Sequence, residues 1–466
     1  MKIELGFGEL TVKELCRLAE GELFGDGDRT FSFVCTDSRE ADEKTLFVAI
    51  RGERVDGHDY ISAAYKNGCR CVLCEQQPVG IDGISAVLVT DSVKALSKIA
   101  RNACENKDRL TVAITGSVGK TTTKEYVAAA LLPLSPYRTE GNFNSVIGLP
   151  LSMLGMKKDT RSAVLEMGMS GFYEIDAMSR AARPDVAIIT NIGSSHMEML
   201  GSRENIRLAK LEIVNGLKEN GILLVNGDDP MLTGLTLPVR TLSVGVENRE
   251  CDFFASNIRQ DAFGTEFTAI LPEGRREVCY ISQLGTHNVR AAMFGIAAAY
   301  IFGIDPTIAK NGMAAFTGAK MRQNIYRVGG VTFIEDCYNA SPESMRAAID
   351  VGASLDKKRF IALLGDMKEL GNDTEKLHYG VGEYAARMGA DTVFSYGELA
   401  ERISDGAADN GCKTVRIKSG DPAEAAELLL DTIEDGDVIL FKASRAMRAE
   451  KIIDILKERL RTGDNE

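Results

Sequence analysis

The chain has 466 residues, room for two to four domains each with its own core. Hydrophobic residues at 44% and charged residues at 26% describe an ordinary globular composition rather than a membrane or disordered one. A net charge of −12 argues against nucleic acid as a partner, because neutralising a phosphate backbone takes a broad basic surface. Any phosphate held here must be gripped by local cations against an acidic background.

The N-terminal MKIELGFGEL has neither a basic start nor an apolar run of signal-peptide length, so the expected location is the cytoplasm. Over residues 1–85 short apolar runs, TLFVAI and CRCVLC, flank a loop, RGERVDGHDY, and indicate a small separate α/β domain. The CRCVLC run holds Cys69, Cys71 and Cys74 of the ten cysteines. In a strand Cys69 and Cys71 share one face and Cys74 takes the other, which cannot converge on one ion, so reduced, buried thiols are expected.

From Thr111 onward β-branched runs alternate with helical stretches: TVAI, SAVLEM, DVAIIT and GILLV, then VTFIED, RFIALLG, TVFSY and DVILFK. This is the pattern of parallel sheets with crossover helices, the doubly wound α/β class, divided into a central domain 86–320 and a C-terminal domain 321–466. Residues 247–280 alternate as an antiparallel insertion would. The longest apolar run, Ala291 to Ile304, is too short for a bilayer and is expected to be a buried helix, so no membrane insertion is expected. Ligands of such folds bind beyond the carboxyl ends of the strands, so the turns there form the candidate site.

The first of those turns is ITGSVGKTTTKE. It lacks the leading glycine of the usual phosphate loop, Ile114 standing there, yet strand, turn and helix follow in the right order. Thr115, Gly116, Ser117, Val118, Gly119, Lys120, Thr121 and Thr122 therefore form an anion site of backbone N–H groups and helix dipole. Lys120 reaches the terminal phosphates of ATP and the Thr121 hydroxyl reaches Mg²⁺. Glu166 and His196 follow neighbouring strands on the same binding edge. In SRENIRLAKLEIVNGL, Ser202 caps a helix whose apolar stripe is Ile206, Ala209, Ile213 and Leu217. Lys210 falls inside that stripe, either snorkelling to water or facing the site.

Together these segments resemble the Mur ligases, ATP-dependent amide-forming enzymes of peptidoglycan assembly. The family's loop is T-G-x-x-G-K-T-T, matched by Thr115 to Thr122, which accounts for the missing glycine. TDSREADEKTLFVAIRGERVDGHDY is similar to its uridine-nucleotide signature, and EGNFNSVIGLP, with Asn142, to its loop after the first helix. TNIGSSHMEMLGSRENIRLAKLEI is similar to the segment carrying a metal-binding His and a carbamylated Lys, and GTHNVRAA to its adenine-side Asn motif. The resemblance implies an N-terminal uridine-nucleotide domain, a central P-loop ATPase-like domain and a C-terminal Rossmann-like domain. EDCYNASPESMRAAI, LGDMKELG and GDVILFKASRAMRAEKI resemble the branch that adds D-Ala-D-Ala to UDP-MurNAc-tripeptide. Ala443 and Ala446 stand where the pattern has glycines, Cys337 where it has serine, and GFYEI lacks the glycine before Glu174.

By that resemblance Thr121 and Glu166 hold one Mg²⁺, and His196 and carbamylated Lys210 hold a second. Asn288 contacts adenine, Arg322 the γ-phosphate and Asp336 the nucleotide. Tyr338 and Asn339 line the acceptor cleft, while Ser38, Arg39 and Asn142 bind the uridine-linked substrate. The C-terminal domain is expected to swing shut on ATP, and the chain to act as a monomer on small-molecule substrates. A ligase of the same superfamily with another substrate, and a P-loop switch protein, are the competing readings.

Overall fold

The computed structural model describes residues 2–106 and 108–463; the last three residues of the range 321–466 lie outside it, as do Met1 and Lys107. Each alternating run named above becomes a strand, and the strands gather into three main sheets. The N-terminal sheet places four parallel strands, Phe33–Cys35, Thr45–Val48, Cys71–Cys74 and Ser85–Leu88, between antiparallel edges Lys2–Glu4 and Glu22–Phe24. Its last parallel strand runs three residues beyond position 85, and the following helix, Ser92–Ala103, packs on the helix Val12–Ala19.

The cysteine geometry differs from the expectation. The regular strand starts at Cys71, so Cys69 lies before it in the turn and escapes the two-residue alternation. Cys69 and Cys74 enter one core cluster and Cys71 the other. Burial pushes the thiols of Cys71 and Cys74 up to about 12, which keeps them protonated.

The central sheet has nine strands. Leu110–Thr115 sits between Ser162–Glu166 and Val186–Ile189, and Ile222–Asn226, Arg240–Gly245 and Phe253–Gln260 continue the parallel run. Thr265–Ile270 and Arg276–Ile281 then add antiparallel at the edge, so the alternating segment extends the same sheet. The apolar run becomes most of the helix Thr286–Ile301, with residues 291–299 all buried between this sheet and the helix Lys120–Ala130. Large aliphatic or aromatic side chains there each contribute roughly 1.5–3 kcal/mol by leaving water. Among the described residues no helix is long and apolar enough to cross a membrane.

The C-terminal sheet opens with the hairpin Asn324–Val328 and Val331–Glu335. It continues in parallel through Val438–Lys442, Phe360–Gly365, Thr392–Tyr396 and Lys413–Ile417, with helices on both faces. Strand ends of the central and C-terminal sheets face one another across a cavity of about 520 Å³.

Candidate active site

The phosphate loop leaves its strand at Thr115 and enters the helix Lys120–Ala130 through Gly119, whose φ of 82° suits glycine. Gly116 has φ 151°, and a Cβ there would lie 1.8 Å from Thr190 Oγ1. The next strand end pins the loop. Asn191 accepts from Ser117 N–H through its carbonyl (3.1 Å) and from Val118 N–H through Oδ1 (2.8 Å), and Thr190 Oγ1 donates to the Val118 carbonyl at 2.6 Å. Lys120 Nζ donates to the Gly116 carbonyl at 2.8 Å. Burial, then the charge of Arg322, moves its pKa below the ordinary lysine range against the opposing pull of Glu166.

Glu166 ends the neighbouring strand and is only 3% exposed. Thr121 Oγ1 donates to its Oε2 at 2.9 Å and Asn144 Nδ2 to its Oε1 at 2.9 Å, with Lys124 Nζ 4.0 Å away. A buried carboxylate and a hydroxyl at the loop's mouth form a hard-oxygen donor set suited to a divalent cation.

Ser202 Oγ caps the next helix, Arg203–Leu211, accepting from Asn205 N–H at 3.1 Å. The α-helix stops at Leu211 and a 3₁₀ turn follows, so Leu217 lies beyond it and is only partly buried. Ile206, Ala209 and Ile213 are core residues, and Lys210, 1% exposed, is buried among them rather than snorkelling. Among the described residues no acceptor hydrogen-bonds or ion-pairs with its amine. Burial, reinforced by the charge of Lys120, holds that amine well below the ordinary lysine range and favours the neutral, nucleophilic form. His196 has φ 66° and its Nδ1 lies 2.6 Å from Glu369 Oε2 of the C-terminal domain, close enough for an ion pair but outside hydrogen-bond angles.

The C-terminal domain supplies the facing wall. Arg322 stacks on Tyr338, guanidinium to ring centre 4.3 Å. Lys442, 2% exposed, donates to Asp336 Oδ2 at 2.6 Å and to the Asn339 carbonyl at 3.1 Å, joining three residues of this wall. From the central domain Asn288 donates to the Leu284 carbonyl at 2.8 Å and to Gln323, beside His287, whose pKa burial lowers to about 4. Thus Ser117 to Thr122, Glu166, His196, Asn288, Arg322, Asp336, Tyr338 and Asn339 line one cavity. Thr115 and Gly116 lie just behind its loop.

Four further expected residues lie outside this lining: Lys210, a buried core residue, and Asn142, Ser38 and Arg39. Asn142 is exposed and outside the cavity lining, whereas Asn144, two positions on in the same segment, reaches Glu166. Ser38 and Arg39 sit on a short 3₁₀ turn of the N-terminal domain, Arg39 paired with Asp37 at 2.6 Å. Asn144, Lys124, His287, Glu343 and Lys442 were not singled out by the sequence reading. For Lys442 a signal existed, a charged residue closing an apolar strand, DVILFK, at its carboxyl end. The departure in GFYEI has a visible consequence: Tyr173 takes φ 68°, a left-handed conformation that the missing glycine would adopt without strain.

A phosphate loop and a buried carboxylate, faced across a cleft by a second Rossmann-like domain, define a three-domain nucleotide-dependent enzyme. The chain belongs to the Mur ligase family: residues 30–113 match the Mur ligase family, catalytic domain, residues 114–299 the Mur ligase middle domain, and residues 321–445 the Mur ligase, glutamate ligase domain. It is similar to the UDP-N-acetylmuramoyl-tripeptide--D-alanyl-D-alanine ligase of Bacillus subtilis, 39% identical over 96% of this chain and 98% of that protein. Among solved structures it is similar to MurF from Acinetobacter baumannii, with TM-score 0.89 and 29% identity over 97% of this chain and 100% of that one. It is also similar to MurF ligase from Thermotoga maritima in complex with ADP, with TM-score 0.83 and 32% identity over 92% and 98% of the two chains.

Proposed function

We propose that this enzyme joins the amine of D-alanyl-D-alanine to the free carboxylate of UDP-N-acetylmuramoyl-tripeptide, cleaving ATP to ADP and phosphate and releasing UDP-MurNAc-pentapeptide. The peptide carboxylate attacks the γ-phosphorus and ADP departs, leaving an acyl phosphate. The amine then adds to the acyl carbon, loses a proton, and the tetrahedral intermediate expels phosphate as the amide forms. The first step brings two anions together, so cationic and N–H groups dominate catalysis. The phosphate-loop N–H groups and Lys120 orient the β- and γ-phosphates, and Arg322 meets the γ-phosphate from the opposite wall.

Thr121 and Glu166 fit one Mg²⁺, while His196 and Lys210, once carbamylated, fit a second. Bound there, divalent ions supply charge neutralisation between the γ-phosphate and the attacking carboxylate. Carbamylation needs a neutral amine: Lys210 Nζ adds to CO₂, loses a proton and becomes an anionic oxygen ligand, which explains a lysine buried without a counter-charge. Asn288 and Asp336 contact the nucleotide, Tyr338 and Asn339 the incoming dipeptide, and Ser38, Arg39 and Asn142 the uridine-linked substrate. Closure of the C-terminal domain protects the acyl phosphate from water. We read the enzyme as cytoplasmic, monomeric and independent of nucleic acid.

The observation that carries this reading is the buried Lys210, unpaired among the described residues, in a chain that matches the D-alanyl-D-alanine ligases over nearly its full length. Phosphate release, with ATP, Mg²⁺, muropeptide and dipeptide each omitted in turn, tests it. Release that requires both peptide substrates and yields pentapeptide by mass is expected; release indifferent to them refutes the ligase reading in favour of a P-loop switch.

A further inference from the structure

The segment Gly193–Glu198, which carries His196, is held from the C-terminal domain at two points. Glu343, in the first turn of the helix Pro342–Ser354, accepts from both Ser194 N–H and Ser194 Oγ–H through Oε1, each at 2.9 Å. Glu369 accepts from Glu198 N–H through its carbonyl at 3.3 Å and sets its carboxylate against His196. The Glu343 contact is tight, since a Cβ on Gly193 would lie 2.9 Å from Glu343 Cδ and would make the carboxyl group shift. On its other side Gly193 N–H donates to Ser117 Oγ in the phosphate loop at 2.8 Å. One short path thus runs from the phosphate loop, through Gly193 and Ser194, to the C-terminal domain. Glu343 Oε2 is buried and has no hydrogen-bond partner among the described residues, so the docking uses one oxygen as an acceptor and leaves the second unused.

We propose that Glu343 is a positioning residue that docks the C-terminal domain onto the Gly193–Glu198 segment and couples that docking to the shape of the phosphate loop. Its part in nucleotide binding rests on the proposed function; its part in domain docking does not. The contact needs an acceptor, not a charge. Glu343→Gln keeps the acceptor and removes a buried carboxylate whose second oxygen is unpaired, whereas Glu343→Ala removes both.

The test uses the full chain, with small-angle scattering alone and with ADP and Mg²⁺, and titration with a non-hydrolysable ATP analogue. Glu343→Ala is expected to enlarge the radius of gyration and weaken the analogue about tenfold, the size of about one lost buried hydrogen bond pair. Glu343→Gln is expected to match the parent in both. Ser194→Ala is expected to give a smaller loss, and combining it with Glu343→Ala to add nothing, because the two changes remove one contact. A Glu343→Ala profile unchanged in scattering and binding overturns the proposal. So does a Glu343→Gln variant that binds the analogue normally but loses kcat, since that assigns the carboxylate to the chemistry instead. If the parent itself binds no analogue, the proposed function fails, and scattering alone decides the docking role.

Discussion

Replacing Gly116 by alanine tests whether the geometry of the phosphate loop sets nucleotide affinity. The new Cβ would lie 1.8 Å from Thr190 Oγ1, 3.0 Å from Thr190 Cβ and 3.1 Å from Thr190 N. The Thr190 backbone cannot retreat, because its N–H donates to the Thr115 carbonyl at 2.9 Å within the paired strands. Its hydroxyl can rotate away only by giving up the 2.6 Å bond to the Val118 carbonyl, a loss of about 1 kcal/mol. Alanine at φ 151° adds strain of roughly 1–3 kcal/mol. The sum, about 3 kcal/mol, is expected to appear as about a hundredfold weaker binding of an ATP analogue by calorimetry. Adding Thr190→Ala removes the closest contact but deletes the same hydroxyl, so the lost bond and the backbone strain both remain and the double variant is expected to bind about as weakly as the single. Binding by Gly116→Ala within about threefold of the parent, or losses from Gly116→Ala and Thr190→Ala that add in full, refutes this account.

Lys210→Met keeps the volume and removes the amine; ligation is expected to fall at least about a hundredfold while the urea midpoint rises, because no polar group is then buried unpaired. A carbamate resonance seen with ¹³C-bicarbonate in the parent should vanish in that variant. His287 has its pKa lowered to about 4, chiefly by burial and then by the charges of Arg290 and Lys442 against the pull of Asp336. The unfolded chain therefore binds more protons between about pH 6.5 and about pH 4, and stability falls as pH drops through that window. With the ring partly open to the cavity, the loss is about 2 kcal/mol at pH 4, and urea titrations of His287→Asn should show that much less acid sensitivity. Lys442→Met leaves Asp336 without its buried partner and is expected to cost about 3 kcal/mol of stability, along with ATP affinity. Asp336→Asn in the same background should recover part of the stability, measured as urea midpoints.

Much of this protein was legible in its sequence because local physics dictated it. Four to six mostly apolar residues, β-branched ones among them, closed by a turn make a buried parallel strand in an α/β context, so the runs TVAI to DVILFK all became strands. The phosphate loop needs only a strand, two glycines and a helix start within about a dozen residues, and the Ser202 cap only a three-residue reach. The sequence also put a lysine on the apolar stripe at 210, but could not say whether its amine escaped to water, since that depends on what packs over it. Tertiary structure decided this, burying Lys210 near Lys120. It likewise put Asn144 rather than the expected Asn142 into the cavity lining, through the path of one loop. Cys69 left the face of Cys71 because the strand began two residues later than its composition implied. Contacts across the cavity were invisible for another reason. Lys442 meets Asp336 over 106 residues and Glu343 meets Ser194 over 149, and no local spacing encodes such pairs. Periodicity determines which face of an element is buried, but only the packing of whole domains decides which buried groups from distant elements share one site.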